Sequence, residues 1–188
     1  MRFVKHHKPD PSATCLEIWK GYPFALSPRA GPTHSNRFLK HLLAHGLLPE
    51  MEGWDLVRPE YRWGNSQFDF LLQRGTRQCL LEAKCCTYVV PGVLERTWEA
   101  RFPDAPATRG TRHVRELTEA NKQGFRSVVL ILVQGVGADL FRPNWETDPV
   151  FSEAFCDALD AGVEASARVL RFAGKRVYLG ESLPVCSD

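Results

Sequence analysis

The sequence predicts a mixed α/β fold, a central sheet with helices on both sides. Three observations carry that prediction. A hairpin pattern runs from Tyr61 to Thr87, with strand-forming residues on either side of Arg74-Gly75-Thr76-Arg77. Ser127 to Gln134 (SVVLILVQ) is apolar on both alternating faces, the mark of a strand central in a covered sheet. Helical patterns at His34–Gly46, Arg109–Gly124 and Pro149–Ala161 interleave with the strands, as a layered α/β domain requires.

Taken in order, residues 1–13 are basic, polar and broken by prolines, and read as a loose arm. Thr14 to Lys20 alternates like a short strand, and Gly21 to Thr33 reads as connection. The helix at His34–Gly46 has Ser35 or Asn36 to cap it, an apolar stripe of Phe38, Leu39, Leu42 and Leu43, and Gly46 to end it. Leu47 to Trp54 is a loop or short turn. Asp55 to Trp63 is a strand interrupted by Pro59, and it leads into the hairpin. Tyr88 to Val93 extends the sheet, whereas residues 95–108 read as a polar, proline-punctuated loop. Thr108 caps the helix Arg109–Gly124, which turns Val114, Leu117 and Ala120 inward and Arg109, Arg112, His113 and Glu116 outward. Asp139 to Asp148 is a loop. Pro149–Ala161 is a helix ended by Gly162, and Glu164–Phe172 and Lys175–Leu179 are the last strands.

The chain of 188 residues is long enough for one well-buried domain, or for one with a small appendage. With 44% hydrophobic and 24% charged residues it has an ordinary globular composition. A formal charge of +2 leaves any nucleic-acid site to local clustering. The six cysteines contain no C-x-x-C, and Cys85 and Cys86 would face opposite sides of a strand, which argues against a disulfide framework or zinc site. The longest apolar run, Val128 to Val133, is strand-length, and no signal peptide pattern occurs. A cytoplasmic protein with no membrane partner is the expectation.

The chemistry concentrates in the hairpin. With Gly75 and Thr76 as turn residues, Arg74 pairs with Arg77 and Asp69 falls opposite Glu82. Lys84, two residues on, shares a face with Glu82. Two carboxylates and an ammonium among apolar neighbours need pairing or a metal, because burying charge is costly. Asp69 and Glu82, with the Ala83 carbonyl, would hold Mg²⁺ or Mn²⁺ through oxygen, and Lys84 would orient or deprotonate an attacking water. The plainer alternative is an ion-pair ladder in which Lys84 bridges two acids. Beyond the hairpin, Asp104 follows in Phe102-Pro103-Asp104-Ala105. Arg109, Arg112 and His113 open the next helix, where free N–H groups also favour phosphate.

These pieces together resemble the sugar fermentation stimulation protein (SfsA) family. They are Asn65-Ser66-Gln67-Phe68-Asp69-Phe70, Glu82-Ala83-Lys84, Phe102-Pro103-Asp104-Ala105, Arg109-Gly110 with His113 and Arg115-Glu116-Leu117, Asn36-Arg37, and Leu183-Pro184-Val185. The resemblance implies a restriction-endonuclease-like domain of PD-(D/E)xK type over residues 34–188. Only a remnant of an N-terminal OB-like domain is then expected within residues 1–33. It implies a DNA-binding protein with a Mg²⁺-dependent nuclease site: Asp69, Glu82 and Lys84 catalytic, and Asp104, Arg109, Arg112 and His113 toward the nucleic acid, DNA before RNA. Action on a duplex would allow a homodimer. His41 and Thr108 stand where the family usually has acids. A second reading follows from that: a non-catalytic nucleic-acid-binding regulator whose nuclease site has decayed.

Overall fold

The computed structural model describes residues 15–17, 32–92, 96–135, 137–173 and 176–187. The expected arm at residues 1–13 and most of the expected connection before the first helix lie outside the described residues. Among the described residues, ten strands and three α-helices run in the order β1 Cys15–Glu17, α1 Pro32–Ala44, β2 Asp55–Trp63, β3 Ser66–Arg74, β4 Arg77–Cys86, β5 Tyr88–Pro91, β6 Trp98–Phe102, α2 Thr108–Lys122, β7 Arg126–Val133, β8 Leu140–Pro143, α3 Pro149–Asp160, β9 Glu164–Ala173 and β10 Arg176–Leu183. A single 3₁₀ turn at Pro49–Met51 sits where a short turn was expected.

The main sheet has seven strands in the order β1-β10-β9-β7-β4-β3-β2. Its centre is parallel, β4 with β7 and β7 with β9, and its flanks are antiparallel. β7 is central for the reason its sequence gives. Val128, Leu130 and Leu132 pack into the layer beneath α1, while Val129, Ile131 and Val133 pack beneath α2 and α3. Each of the six is no more than 1% exposed. α1 buries its expected stripe of Phe38, Leu39, Leu42 and Leu43. α2 buries Val114, Leu117 and Ala120, and α3 buries Phe151 and Phe155 against the opposite face. No helix among the described residues is long and apolar enough to cross a membrane, and Cys79, Cys85, Cys86, Cys156 and Cys186 form no disulfide.

Several local expectations change. α1 starts at Pro32, earlier than expected, because proline suits the first turn of a helix. Ser35 therefore falls inside the helix, and its buried hydroxyl accepts from Gln134 Nε2 and Cys85 Sγ, each at 3.1 Å. Gly46 ends the helix as expected, with φ +64°. Thr108 is the first residue of α2 and not its cap, which is Ala107, without a side-chain capping bond. Asp148 does the work at both junctions: Oδ1 caps α3 through the Phe151 N–H, and Oδ2 takes the Ala107 N–H at 2.7 Å. Pro59 does not interrupt β2, because β2 is the sheet edge and the proline is not asked to donate on its open side.

The expected loops at 95–108 and 139–148 each contain a strand. β5, β6 and β8 form a separate three-stranded sheet in the order β5-β6-β8, so Tyr88 onward does not extend the main sheet. β6 looks polar because Glu99 lies within it. That carboxylate is 1% exposed, held by Arg101 at 2.9 Å and faced by Arg142 of β8 at 3.9 Å. Arg101 neutralises it from the same strand, two residues on, and the second cation, Arg142, comes from a neighbouring strand, which local sequence does not reveal.

Candidate active site

β3 and β4 separate at Asp69. Their ladder runs from Arg74↔Arg77 to Phe70↔Leu81, in the register set by the Gly75-Thr76 turn. The next pair in that register, Asp69 with Glu82, is not part of the ladder. Instead Asp69 Oδ2 accepts the Ala83 N–H at 2.8 Å. A side chain has taken a donor that a continuing strand would have used. The aromatic neighbours mark the break: Phe68 belongs to the core under α2 and Phe70 to the core under α1, although residues two apart on a regular strand share a face. Because the N–H and C=O of one strand residue point the same way, the Ala83 carbonyl looks into the same gap.

The gap opens into a cleft of about 1210 Å³ between the N-terminal part of α1, β2–β4, and the loop that enters α2. Asp69, Glu82, Ala83 and Lys84 form part of its lining, with Asp104 and Arg109 on the α2 side. Asp69 is steadied from the other wall, where Asn36 Nδ2 donates to Oδ1 at 2.5 Å. Glu82 is 3% exposed, and its Oε1 accepts from Lys84 Nζ at 2.6 Å and from His113 Nδ1 at 2.5 Å. Its Oε2 is buried and has no hydrogen-bond partner.

His113 departs from expectation. It does not project outward with Arg109. It is 2% exposed, lies beside the Phe68 ring and faces Glu82. Arg109 Nε donates to its Nε2 at 3.3 Å. A guanidinium nitrogen can only donate, so Nε2 must be the lone-pair nitrogen. The ring proton then sits on Nδ1 and is donated to Glu82. Arg109, His113 and Glu82 thus form one directed chain. Arg109 is exposed and lines the cleft, whereas Arg112 is exposed but outside the lining.

The electrostatics are uneven. Burial pushes the Asp69 carboxyl up, the charge of Glu82 adds to it, and the Ala83 N–H, the Lys84 ammonium and Asn36 offset only part, leaving it at about 6. Burial also acts to raise Glu82, but the His113 hydrogen bond and the Lys84 charge outweigh it and hold that carboxyl below its ordinary range. Above pH 6 a buried and a half-buried carboxylate therefore face one ammonium. The oxygens with lone pairs left for a cation are those of the Asp69 carboxylate, Glu82 Oε2 and the Ala83 carbonyl, all hard donors. Among the described residues no group of three or more His, Cys, Asp and Glu side chains converges as a metal site. A small octahedral cation bound through one or two carboxylates and its own waters needs no such group.

Residues given no site role from sequence also line the cleft. Arg37 and Lys40 stand exposed on α1, and Glu60 stands exposed on β2. Arg37 and Lys40 are three residues apart on the polar side of a helix whose apolar stripe is plain, so the signal was present. Glu60 carried none.

The chain is similar to several known proteins. Residues 33–176 match the model for the sugar fermentation stimulation protein RE domain. A sugar fermentation stimulation protein homolog of Desulforamulus reducens is 37% identical over 150 residues, 80% of this chain and 60% of the relative. One from Thermotoga maritima is 37% identical over 161 residues, 82% of this chain and 68% of the relative. A solved structure of Pyrococcus furiosus SfsA in complex with Ca²⁺ matches with a TM-score of 0.73 and 27% identity, over 82% of this chain and 65% of that one. The chain spans about three fifths of the length of the Desulforamulus relative.

Proposed function

The chain belongs to the sugar fermentation stimulation protein family, and we propose that its cleft is a divalent-cation-dependent phosphodiesterase site of the restriction-endonuclease-like kind, acting on nucleic acid, with DNA the first candidate. One observation carries the reading. Of the two facing carboxyls, the buried Glu82 has an oxygen, Oε2, with no partner, while the half-buried Asp69 is pushed up by burial and by the charge of Glu82. Residues arranged for stability alone would pair that oxygen or dispense with one acid. The oxygen donors fit Mg²⁺ or Mn²⁺, and the Ca²⁺ complex of the Pyrococcus relative supports a hard divalent ion.

Asp69 and Glu82, with the Ala83 carbonyl, would hold the ion. A divalent cation there supplies Lewis acidity, polarising a phosphoryl oxygen and making water a stronger acid. The protein does the rest. Asn36 and the Ala83 N–H fix the Asp69 carboxylate, and His113 and Lys84 fix Glu82, so neither must reorganise when charge develops. Lys84 keeps protons free beyond the one given to Glu82, and it orients the attacking water or neutralises charge on the phosphoryl oxygens. Water adds to phosphorus as one ester P–O bond breaks, and the proton lost by water balances the alcohol formed. Arg37, Lys40 and Arg109 on the two walls meet the flanking phosphates.

The test is cleavage of labelled single- and double-stranded oligonucleotides with Mg²⁺ or Mn²⁺. Cleavage should stop with a chelator and fall at least 100-fold in Asp69→Ala and in Lys84→Ala. Cleavage that persists in both variants overturns the assignment. Salt-sensitive binding without turnover in the wild type would favour the regulator reading, for which His41 is the specific observation. Its ring packs on His45 at a 4.4 Å centroid distance, and it is not among the cleft-lining residues.

A further inference from the structure

We propose that Glu60 is a third acid of this cleft, positioned to hold the hydration shell of the cation gripped by Asp69 and Glu82; this rests on the cation reading of the site. Glu60 lies on the edge strand β2. The β2–β3 register joins Pro59 with Phe70 and Tyr61 with Phe68, which sets Glu60 beside Asp69, and both line the cleft. The carboxylate is exposed and makes no hydrogen bond or ion pair among the described residues. Glu60 also has φ +53°, a left-handed conformation in the middle of a strand, where a glutamate gains nothing from its own backbone. The turn of the chain at Glu60 coincides with the break in face alternation at Asp69, so both acids are brought to the gap by one irregularity.

A ligand is indicated independently by Glu82, a lining residue of the same cleft whose Oε2 is buried and unpartnered. Asp69, Glu82 and Glu60 do not converge closely enough to ligate one ion directly. A Mg²⁺-type ion keeps several waters, and each of those waters needs an acceptor. Glu60 is the free anionic acceptor on the β2 side.

The experiment is calorimetric titration of the metal-free protein with MnCl₂ and with MgCl₂, with thermal unfolding measured in parallel. Glu60→Gln should weaken binding about 10-fold, as loss of an outer-shell partner does, with the unfolding temperature of the metal-free protein unchanged. Glu60→Asp should retain affinity within about threefold. Glu60→Gly should raise the unfolding temperature by relieving the backbone while weakening binding like Glu60→Gln. If Glu60→Gln binds as tightly as the wild type, the Glu60 assignment fails alone. If wild-type binding is absent, or survives Asp69→Asn, the cation reading fails and takes this one with it.

Discussion

Replacing Asp69 with asparagine should stabilise the metal-free protein above pH 6 and leave it nearly unchanged at pH 4. The Asp69 carboxyl sits at about 6 in the fold against 3.8 for the free group. Between those values the folded state keeps a proton that the unfolded state has lost. The native state thus binds more protons, and stability falls as pH rises through this window. The shift is about two units, which corresponds to about 3 kcal/mol at pH 7–8. Asparagine cannot ionise. It can still accept the Ala83 N–H, and Asn36 can turn its amide to meet the new NH₂, so both contacts survive. Urea unfolding of both proteins from pH 4 to 8, followed by tryptophan fluorescence, reads the difference directly, since Trp54 is buried. The gap should open from near zero at pH 4 to a few kcal/mol at pH 8. Free Mg²⁺ at ten times its Kd should then stabilise the wild type by about 1.4 kcal/mol and the variant hardly at all. A gap that stays flat between pH 4 and 8 would refute the reasoning, because it would mean that Asp69 ionises as easily folded as unfolded.

Other outcomes follow from the same geometry. His113→Phe removes the donor to Glu82 and should lower stability by about 1.5–3 kcal/mol, with His113→Asn, whose amide reaches the Nδ1 position, recovering much of it in the same urea series. Replacing Arg37 and Lys40 together by alanine should reduce the salt dependence of nucleic-acid binding by about one to two in log–log slope while leaving Mn²⁺ affinity intact. Unchanged slope would remove α1 from the binding surface. Leu130→Ala in the middle of β7 should cost about 2–5 kcal/mol, since the residue is 1% exposed and its neighbours on both sides are strand-bound.

The hairpin chemistry was legible because turn, register and side-chain alternation are local. Gly75 and Thr76 fix which residues meet, and Glu82 and Lys84 must then share a face. The same logic failed one residue beyond the ladder. Asp69 was expected to pair with Glu82 across the sheet, and its carboxylate instead bonds the Ala83 backbone. Nothing in a strand propensity says that a side chain will compete with the strand for a donor.

His113 shows the second kind of limit. Helical spacing placed it on one face with Arg109, and one turn of helix does put them together. Which side of that face is solvent depends on β3 and β4, since the ring lies against Phe68 and Glu82. The polar look of β6 has the same origin: Glu99 is buried because Arg101 and Arg142 neutralise it.

The sequence by itself determined the central strand β7, the three helices and the pairing that brings Glu82 to Lys84, because period, turn chemistry and hydrophobic stripe act over a few residues. Only the tertiary structure decided where the sheet splits, that Asn36 from a helix 33 residues away holds Asp69, and that Glu60 enters the cleft. Those contacts join distant segments, and their energies come from burial and charge, which a local pattern does not encode.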